Sequence, residues 1–96
     1  MDLKNQYNPT NITTQDTFLL ATNNGVLHAI TFNKPLATGT VAIYNGIDAG
    51  GVLLGTITTP TGPQPVTMIY DIAFAVGLCI VTGGANQDIT IMWAQG

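Results

Sequence analysis

The sequence predicts an all-β protein, a small antiparallel β-sandwich of jelly-roll-like or immunoglobulin-like type with about seven to eight strands. Two observations predict this fold class. Runs of β-branched and aromatic residues recur about every eight to twelve residues between turn residues, and no stretch shows the period of an amphipathic helix. A chain of 96 residues has room for one hydrophobic core, because a second core would need roughly 50 residues of its own.

The strand signals can be placed in order along the chain. They fall at residues 14–21, 26–32, 40–44, 52–58, 66–72, 77–82 and 88–93. Asn24 followed by Gly25 is a favoured pair for a tight hairpin turn, so we expect the first two of these strands to pair antiparallel. The glycine-containing segment 83–87 is expected to close the last hairpin in the same way.

Alternation along a strand assigns its side chains to faces. In the second predicted strand, one face would hold the even-numbered residues Val26, His28, Ile30 and Phe32. In the last strand, one face would hold Ile89, Ile91 and Trp93, and the other Thr90 and Met92.

The strand at residues 77–82 is apolar on both faces. Leu78 and Ile80 alternate with Cys79 and Val81. Such a strand is either central in its sheet with both faces covered, or covered on one face by another subunit.

The N-terminal residues differ from the rest of the chain. They are rich in amide side chains and hold only Leu3, Tyr7 and Ile12 as large apolar groups after Met1. A segment with so little apolar surface is not expected to fold by itself. We therefore predict an extended N-terminal arm over residues 1–13, either disordered or ordered by a partner, and a single β-sandwich domain over residues 14–96.

Charge is scarce throughout. Charged residues make up 7% of the chain and the formal net charge is −3, whereas about 25% of a soluble domain is usually charged. The chain has no basic stripe to neutralise phosphates, which argues against nucleic acid as a partner. Weak charge also means weak repulsion between copies, which favours self-association.

We expect neither secretion nor membrane contact. The first residues lack the apolar core of a signal peptide. The longest apolar run, residues 72–81, has about half the length of a helical membrane span.

Side chains that could carry chemistry are few. His28 is the only histidine, Cys79 is the only cysteine, and there is no serine. A Cys79–His28 dyad would be the one arrangement for nucleophilic catalysis, but a cysteine in an apolar run more often packs as a small core residue. One histidine and one distant cysteine match no zinc spacing. We predict no enzymatic activity, no metal and no cofactor.

Glycan binding is an open alternative. Sandwich domains bind sugars with exposed aromatic rings beside amides and carboxylates. The candidate rings here are Tyr7, Tyr44, Tyr70 and Trp93. Trp93 continues an apolar strand face, which favours a core or interface position for that ring.

Five segments together resemble a family of small virion proteins of tailed phages. They are GVLHAI (25–30), GTVAIY (39–44), GGVLLGTI (50–57), YDIAFAVGLCIVT (70–82) and DITI (88–91). The resemblance covers roughly residues 17–93 and depends on the order and spacing of the segments. It implies a noncatalytic β-sandwich protein present in many copies, as capsid cement, head fibre or tail component. The chain departs from the pattern at Asn45, where the relatives tend to have aspartate.

Composition and resemblance together predict a phage capsid decoration (cement) protein that binds and stabilises the capsid shell as a homotrimer. Its partners would be the major capsid protein and further copies of itself. It would be made in the host cytoplasm and reside on the capsid surface. Leu3, Tyr7 and Ile12 of the arm would bind the shell, and Met92 and Trp93 would contact neighbouring subunits. The alternative is a carbohydrate-binding adhesin, or a tail or head-fibre component for host attachment.

Overall fold

The computed structural model describes residues 7–34, 39–60 and 64–95, and every regular element in these ranges is a β-strand. The strands are β1 (Asn8–Ile12), β2 (Thr17–Ala21), β3 (Gly25–Phe32), β4 (Thr40–Asn45), β5 (Val52–Thr58), β6 (Val66–Phe74), β7 (Leu78–Gly83) and β8 (Ile89–Gln95). The predicted all-β fold with seven to eight strands is confirmed.

The strands form two antiparallel sheets of four strands each. Sheet A has the order β1-β8-β3-β6, and sheet B has the order β2-β7-β4-β5. The pairs β1 with β8, β2 with β7, β3 with β6 and β4 with β5 are nested, like a single long hairpin that has been rolled up. This nesting defines a jelly roll. In an immunoglobulin fold the first two strands share a sheet, so the topology selects the jelly roll from the two predicted types.

Both predicted hairpins are wrong. The chain passes from sheet B to sheet A at Asn24–Gly25, and again at residues 84–88. Gly25 is needed for close packing rather than for a turn, because a Cβ there would lie 2.3 Å from the carbonyl oxygen of Ala94. Turn residues show where a chain reverses, but they do not show which sheet receives the next strand.

The predicted arm is also wrong for residues 8–12. They form β1, which pairs along β8 from Asn8 with Trp93 to Ile12 with Ile89. Ile12 is only 2% exposed and belongs to the core. The polar composition of this segment fits an edge strand, where Pro9 and outward amides are tolerated. Leu3 lies outside the described residues.

The core fills the space between the sheets. The predicted face of β8 is confirmed, since Ile89 and Ile91 are fully buried and Trp93 packs against the core. The predicted faces of β7 are confirmed as well. Its inner side chains, Leu78 and Ile80, belong to the core cluster.

The end of β4 is held by one amide side chain. The Oδ1 atom of Asn45 accepts hydrogen bonds from the backbone N–H groups of Ala75, Val76 and Gly77, at 3.1, 2.9 and 3.4 Å. Asn45 therefore ties sheet B to the turn between β6 and β7 at this end of the sandwich.

Candidate interaction surfaces

The charged residues lie almost entirely off the sheets. Of those that the structure describes, Asp16, Lys34, Asp48 and Asp88 lie in loops, and only Asp71 lies in a strand. The outer faces of both sheets are therefore nearly free of charge. Because an uncharged face costs little to desolvate, both are candidates for contact with other molecules.

The outer face of sheet B has an apolar row across all four strands. The register places Leu19, Cys79, Tyr44 and Leu53 side by side on β2, β7, β4 and β5. We call these four residues the central row. Leu19 is 48% exposed and Leu53 is 53% exposed. The next outward row holds Thr17, Val81, Ala42 and Thr56, so neither row carries a charge.

Cys79 lies in the middle of the central row yet is fully buried. The larger side chains of Leu19 and Tyr44 flank it. Burial raises the pKa of the thiol, and the negative charge of Asp48 raises it further. Because the thiolate is the reactive form, both effects make Cys79 a poor nucleophile.

The structure does not assemble a Cys79–His28 dyad. Cys79 is on the outer side of sheet B, and His28 is on the outer side of sheet A. Two packed sheets lie about 10 Å apart, so the whole core separates the two side chains.

The outer face of sheet A carries a polar row whose members are hydrogen-bonded. Asn11, Thr90, Thr31 and Thr67 are level with each other on β1, β8, β3 and β6. The Thr31 and Thr67 hydroxyls are 2.9 Å apart, and the Asn33 side chain donates to the Thr90 hydroxyl at 3.0 Å. Asn11 donates to Asp88 and to the Ile89 carbonyl, each at 2.9 Å, so every member of the row has a partner within the protein.

Sheet A also contains an irregularity that widens from strand to strand. Leu27 pairs with Trp93 and Ile72, and Ala29 pairs with Met92 and Ile69. Trp93 and Met92 are consecutive on β8, whereas one residue separates Leu27 from Ala29 on β3 and two residues separate Ile69 from Ile72 on β6. The extra residues are His28 on β3, and Tyr70 and Asp71 on β6.

This bulge overturns the predicted faces of β3. His28 points outward and the next residue, Ala29, is level with outward Met92, so alternation is interrupted there. Ile30 and Phe32 then return to the core, where both are buried. A bulge is not visible in the periodicity of one strand, because it arises from the pairing of strands.

Three side chains meet at the bulge. The Nδ1 atom of His28 lies 2.5 Å from Oδ1 of Asp71. The ring of Tyr7 stacks on His28, with centroids 4.3 Å apart and an interplanar angle of 9°. Asp71 has a φ of 46°, which is unusual for a residue other than glycine. We call Tyr7, His28 and Asp71 the bulge cluster.

The predicted site residues do not form one site. Tyr7 is 43% exposed and belongs to the bulge cluster, whereas Ile12 is in the core. Met92 is half-buried on the outer face of sheet A. Trp93 is half-buried on the inner face, and its Nε1 donates to Oγ1 of Thr10 at 3.0 Å. Ile12 and Trp93 therefore both face the core.

Tyr70, a predicted candidate ring for glycan binding, is directed inward. It packs against the core, and a Cβ on Gly55 would lie 2.5 Å from its hydroxyl oxygen. Tyr44 is half-buried in the central row. Among the tyrosines of the described residues, only Tyr7 is exposed.

Sequence reasoning missed the central row and the bulge cluster, although each has a signal. Two adjacent leucines, Leu53 and Leu54, cannot both face the core of a regular strand. Asp71 is the only charged residue in the stretch 66–81, and the structure places it beside the only histidine.

A concavity opens at the end of the sandwich near Val26 and Ala73. It has a volume of about 450 Å³ and is lined by Asn24, Gly25, Val26, Asn45, Ala73, Phe74 and Ala75. Within residues 7–34, 39–60 and 64–95, no three acidic, histidine or cysteine side chains are grouped to hold a metal ion. The same residues contain no helix able to cross a membrane.

A scan against protein-family models found no family that matches the chain, and a search of the curated proteins found no match. The resemblance to phage virion proteins therefore stays a prediction.

Proposed function

We propose that the protein is a noncatalytic structural subunit of a tailed-phage virion, a capsid decoration protein that binds the shell as a homotrimer. The observation that carries this is the outer face of sheet B, where Leu19 and Leu53 are about half exposed on a surface without charge. In a protein with so few charges, such a face is best covered by other proteins.

The fold is compatible with this function. Jelly rolls include viral capsid domains, but also lectins and cupins, so the fold by itself does not select among them. The five segments that resemble virion proteins add support, because they form parts of β3 to β8 and the turns between them.

The energetics favour repeated weak contacts. Burying a few hundred Å² of apolar surface per subunit contributes roughly 5–10 kcal/mol at about 25 cal/mol per Å², and the lost freedom of association offsets much of it. A subunit that meets both its sister copies and the shell gains from several such contacts at once.

The assignment of contact residues changes from the one predicted. Because Ile12 is in the core and Trp93 faces inward, we assign subunit and shell contacts to the central row of sheet B. Of the three residues predicted to clamp the shell, Leu3 lies outside the described residues and Tyr7 remains exposed.

The test has two stages. The molar mass of the purified protein is first measured by sedimentation over a range of concentrations, and the protein is then cosedimented with empty capsids of the parent phage. We expect a trimer that pellets with the capsids. A protein that stays monomeric and remains in the supernatant would contradict the proposed function.

A pair of matched variants tests the surface. Leu53→Lys places a charge in the central row, whereas Ile69→Lys places one at a position on sheet A that is 60% exposed. We expect Leu53→Lys to weaken assembly or capsid binding by roughly 100-fold or more, because a buried charge without a partner is costly. Ile69→Lys should bind like the wild type. Equal effects would show that sheet B is not the contact face.

A further inference from the structure

We propose that the bulge cluster and the adjoining concavity form a binding site for a neutral carbohydrate. The bulge cluster is on the outer side of sheet A, opposite the face that we assign to protein contacts, and the concavity lies at the adjoining end of the sandwich. It is a second function, and it does not depend on the virion role.

The first support is the way in which the backbone presents Asp71. The two-residue insertion on β6 places the carboxylate on the outer face beside His28, at a φ of 46°. A positive φ is uncommon for a residue other than glycine, although aspartate adopts it more readily than most. Bulges often re-aim side chains at functional sites, and local strain is concentrated there.

The second support is the set of groups that remain free to bind a ligand. His28 engages Oδ1 of Asp71, and the Asp71 side chain is 57% exposed, so Oδ2 is open to a hydroxyl donor. Tyr7 covers His28 with one face of its ring, and its 43% exposure leaves the other face for contact. An oriented carboxylate thus lies beside a flat apolar ring.

The third support is the shape of the neighbouring surface. Val26 and Ala73 are cross-strand partners two residues along from His28 and Asp71, on the same face. They line the concavity of about 450 Å³, together with Asn24, whose amide can donate and accept. The concavity opens at the end of the sandwich, two residues along these strands from the bulge cluster.

The chemistry of these groups selects the ligand class. An anion would be repelled by Asp71 in a protein of net charge −3. A wholly apolar ligand would desolvate the carboxylate without a hydrogen bond in return. A neutral sugar ring fits, because its apolar face can lie on Tyr7 while its hydroxyls donate to Asp71.

The experiment is an NMR titration of the full ¹⁵N-labelled chain. The probes are glucose, galactose, mannose and N-acetylglucosamine at millimolar concentrations, with glucuronate and glucosamine as charged comparisons. We expect at least one neutral sugar to shift the amide signals of residues 26–28 and 71–73. No shift with any neutral sugar, or shifts only with a charged probe, would overturn the proposed site.

Variants locate the site. Asp71→Asn keeps the size of the side chain and tolerates the positive φ, but it removes the charged acceptor. We expect Asp71→Asn and Tyr7→Ala each to weaken binding about tenfold. Tyr44→Ala, on sheet B, should bind as the wild type does. If Tyr44→Ala abolished binding while Asp71→Asn retained it, the site would be on the other face.

The same variants separate this site from the virion role. Asp71→Asn should leave capsid cosedimentation unchanged, and Leu53→Lys should leave sugar binding unchanged. Loss of capsid binding in Asp71→Asn would mean that the bulge cluster is a protein contact instead.

Discussion

The two outer faces of the sandwich both carry few charges, yet they differ in which side chains lack a partner within the protein. On sheet A the outward polar groups pair with each other, as Thr31 does with Thr67 at 2.9 Å and His28 with Asp71 at 2.5 Å. On sheet B the central row places two half-exposed leucines on either side of buried Cys79. On sheet A these polar groups have partners, and what remains open is the exposed ring of Tyr7 and the exposed carboxylate of Asp71. On sheet B the apolar row is stabilised when another surface covers it. One fold thus supports two kinds of surface, and the difference lies in cross-strand neighbours.

The reactivity of Cys79 is the strongest test of how sheet B is built. If Leu19 and Tyr44 cover Cys79, its thiol reacts with a disulfide reagent only when sheet B unfolds locally. We expect labelling to be roughly 1,000-fold slower than in the denatured chain. The raised pKa of the thiol acts in the same direction. Labelling at the denatured rate would show that the central row does not cover Cys79.

Ile12→Ala tests whether β1 completes sheet A. The side chain is 2% exposed in the core, so its truncation should lower the free energy of unfolding by about 3 kcal/mol. Tyr7→Ala, with an exposed ring, should cost less than about 1 kcal/mol. Both are measured by urea denaturation at one protein concentration. If both variants lost equally little stability, residues 8–12 would not be part of the folded sheet, as in the predicted arm.

A double-mutant cycle on Thr31 and Thr67 tests the hydrogen bond between their hydroxyls on the outer face of sheet A. Thr31→Val or Thr67→Val alone leaves one hydroxyl without its partner, whereas the double variant removes both. We expect a coupling free energy of about 0.5–1 kcal/mol in urea denaturation. Additive single effects would mean that the two hydroxyls bond to water rather than to each other.

The smallest expected effect concerns Asp88 at the corner of sheet A. Hydrogen bonds from Asn11 and Asn33 hold the pKa of Asp88 below its ordinary value, and Lys34 adds to this. A lowered pKa contributes stability above the unfolded value of about 4 and loses it as pH falls through the folded value. Asp88→Asn should therefore lose less stability below about pH 4 than the wild type. Parallel acid profiles of the two proteins would contradict this role.

Much of the fold could be predicted because it depends on local pattern. The strand at Val52–Thr58 begins and ends where its β-branched residues and turn glycines predict. The faces of β7 and β8 also follow from alternation, because both strands are central and regular in the residues concerned. β1 was missed because an edge strand needs few apolar residues, and Ile12 supplies its main core contact.

The candidate sites were harder to predict, because they depend on pairing. Nothing in the order of residues shows that Leu19 and Leu53 share a row, since one is on β2 and the other on β5. Tyr7, His28 and Asp71 are far apart in sequence. His28 meets Asp71 because β3 and β6 pair with an irregular register, and Tyr7 reaches His28 from the residue before β1, which pairs along β8.

The sequence by itself determined that this protein is all-β, has one core and carries almost no charge on its strands. These properties follow from residue types and their period along the chain. Only the tertiary structure decided that the sandwich is a jelly roll, that β1 belongs to it, and that Asp71 stands beside His28. Each of these depends on long-range strand pairing, whose register is a balance of contacts over the whole sheet rather than a property of any one segment.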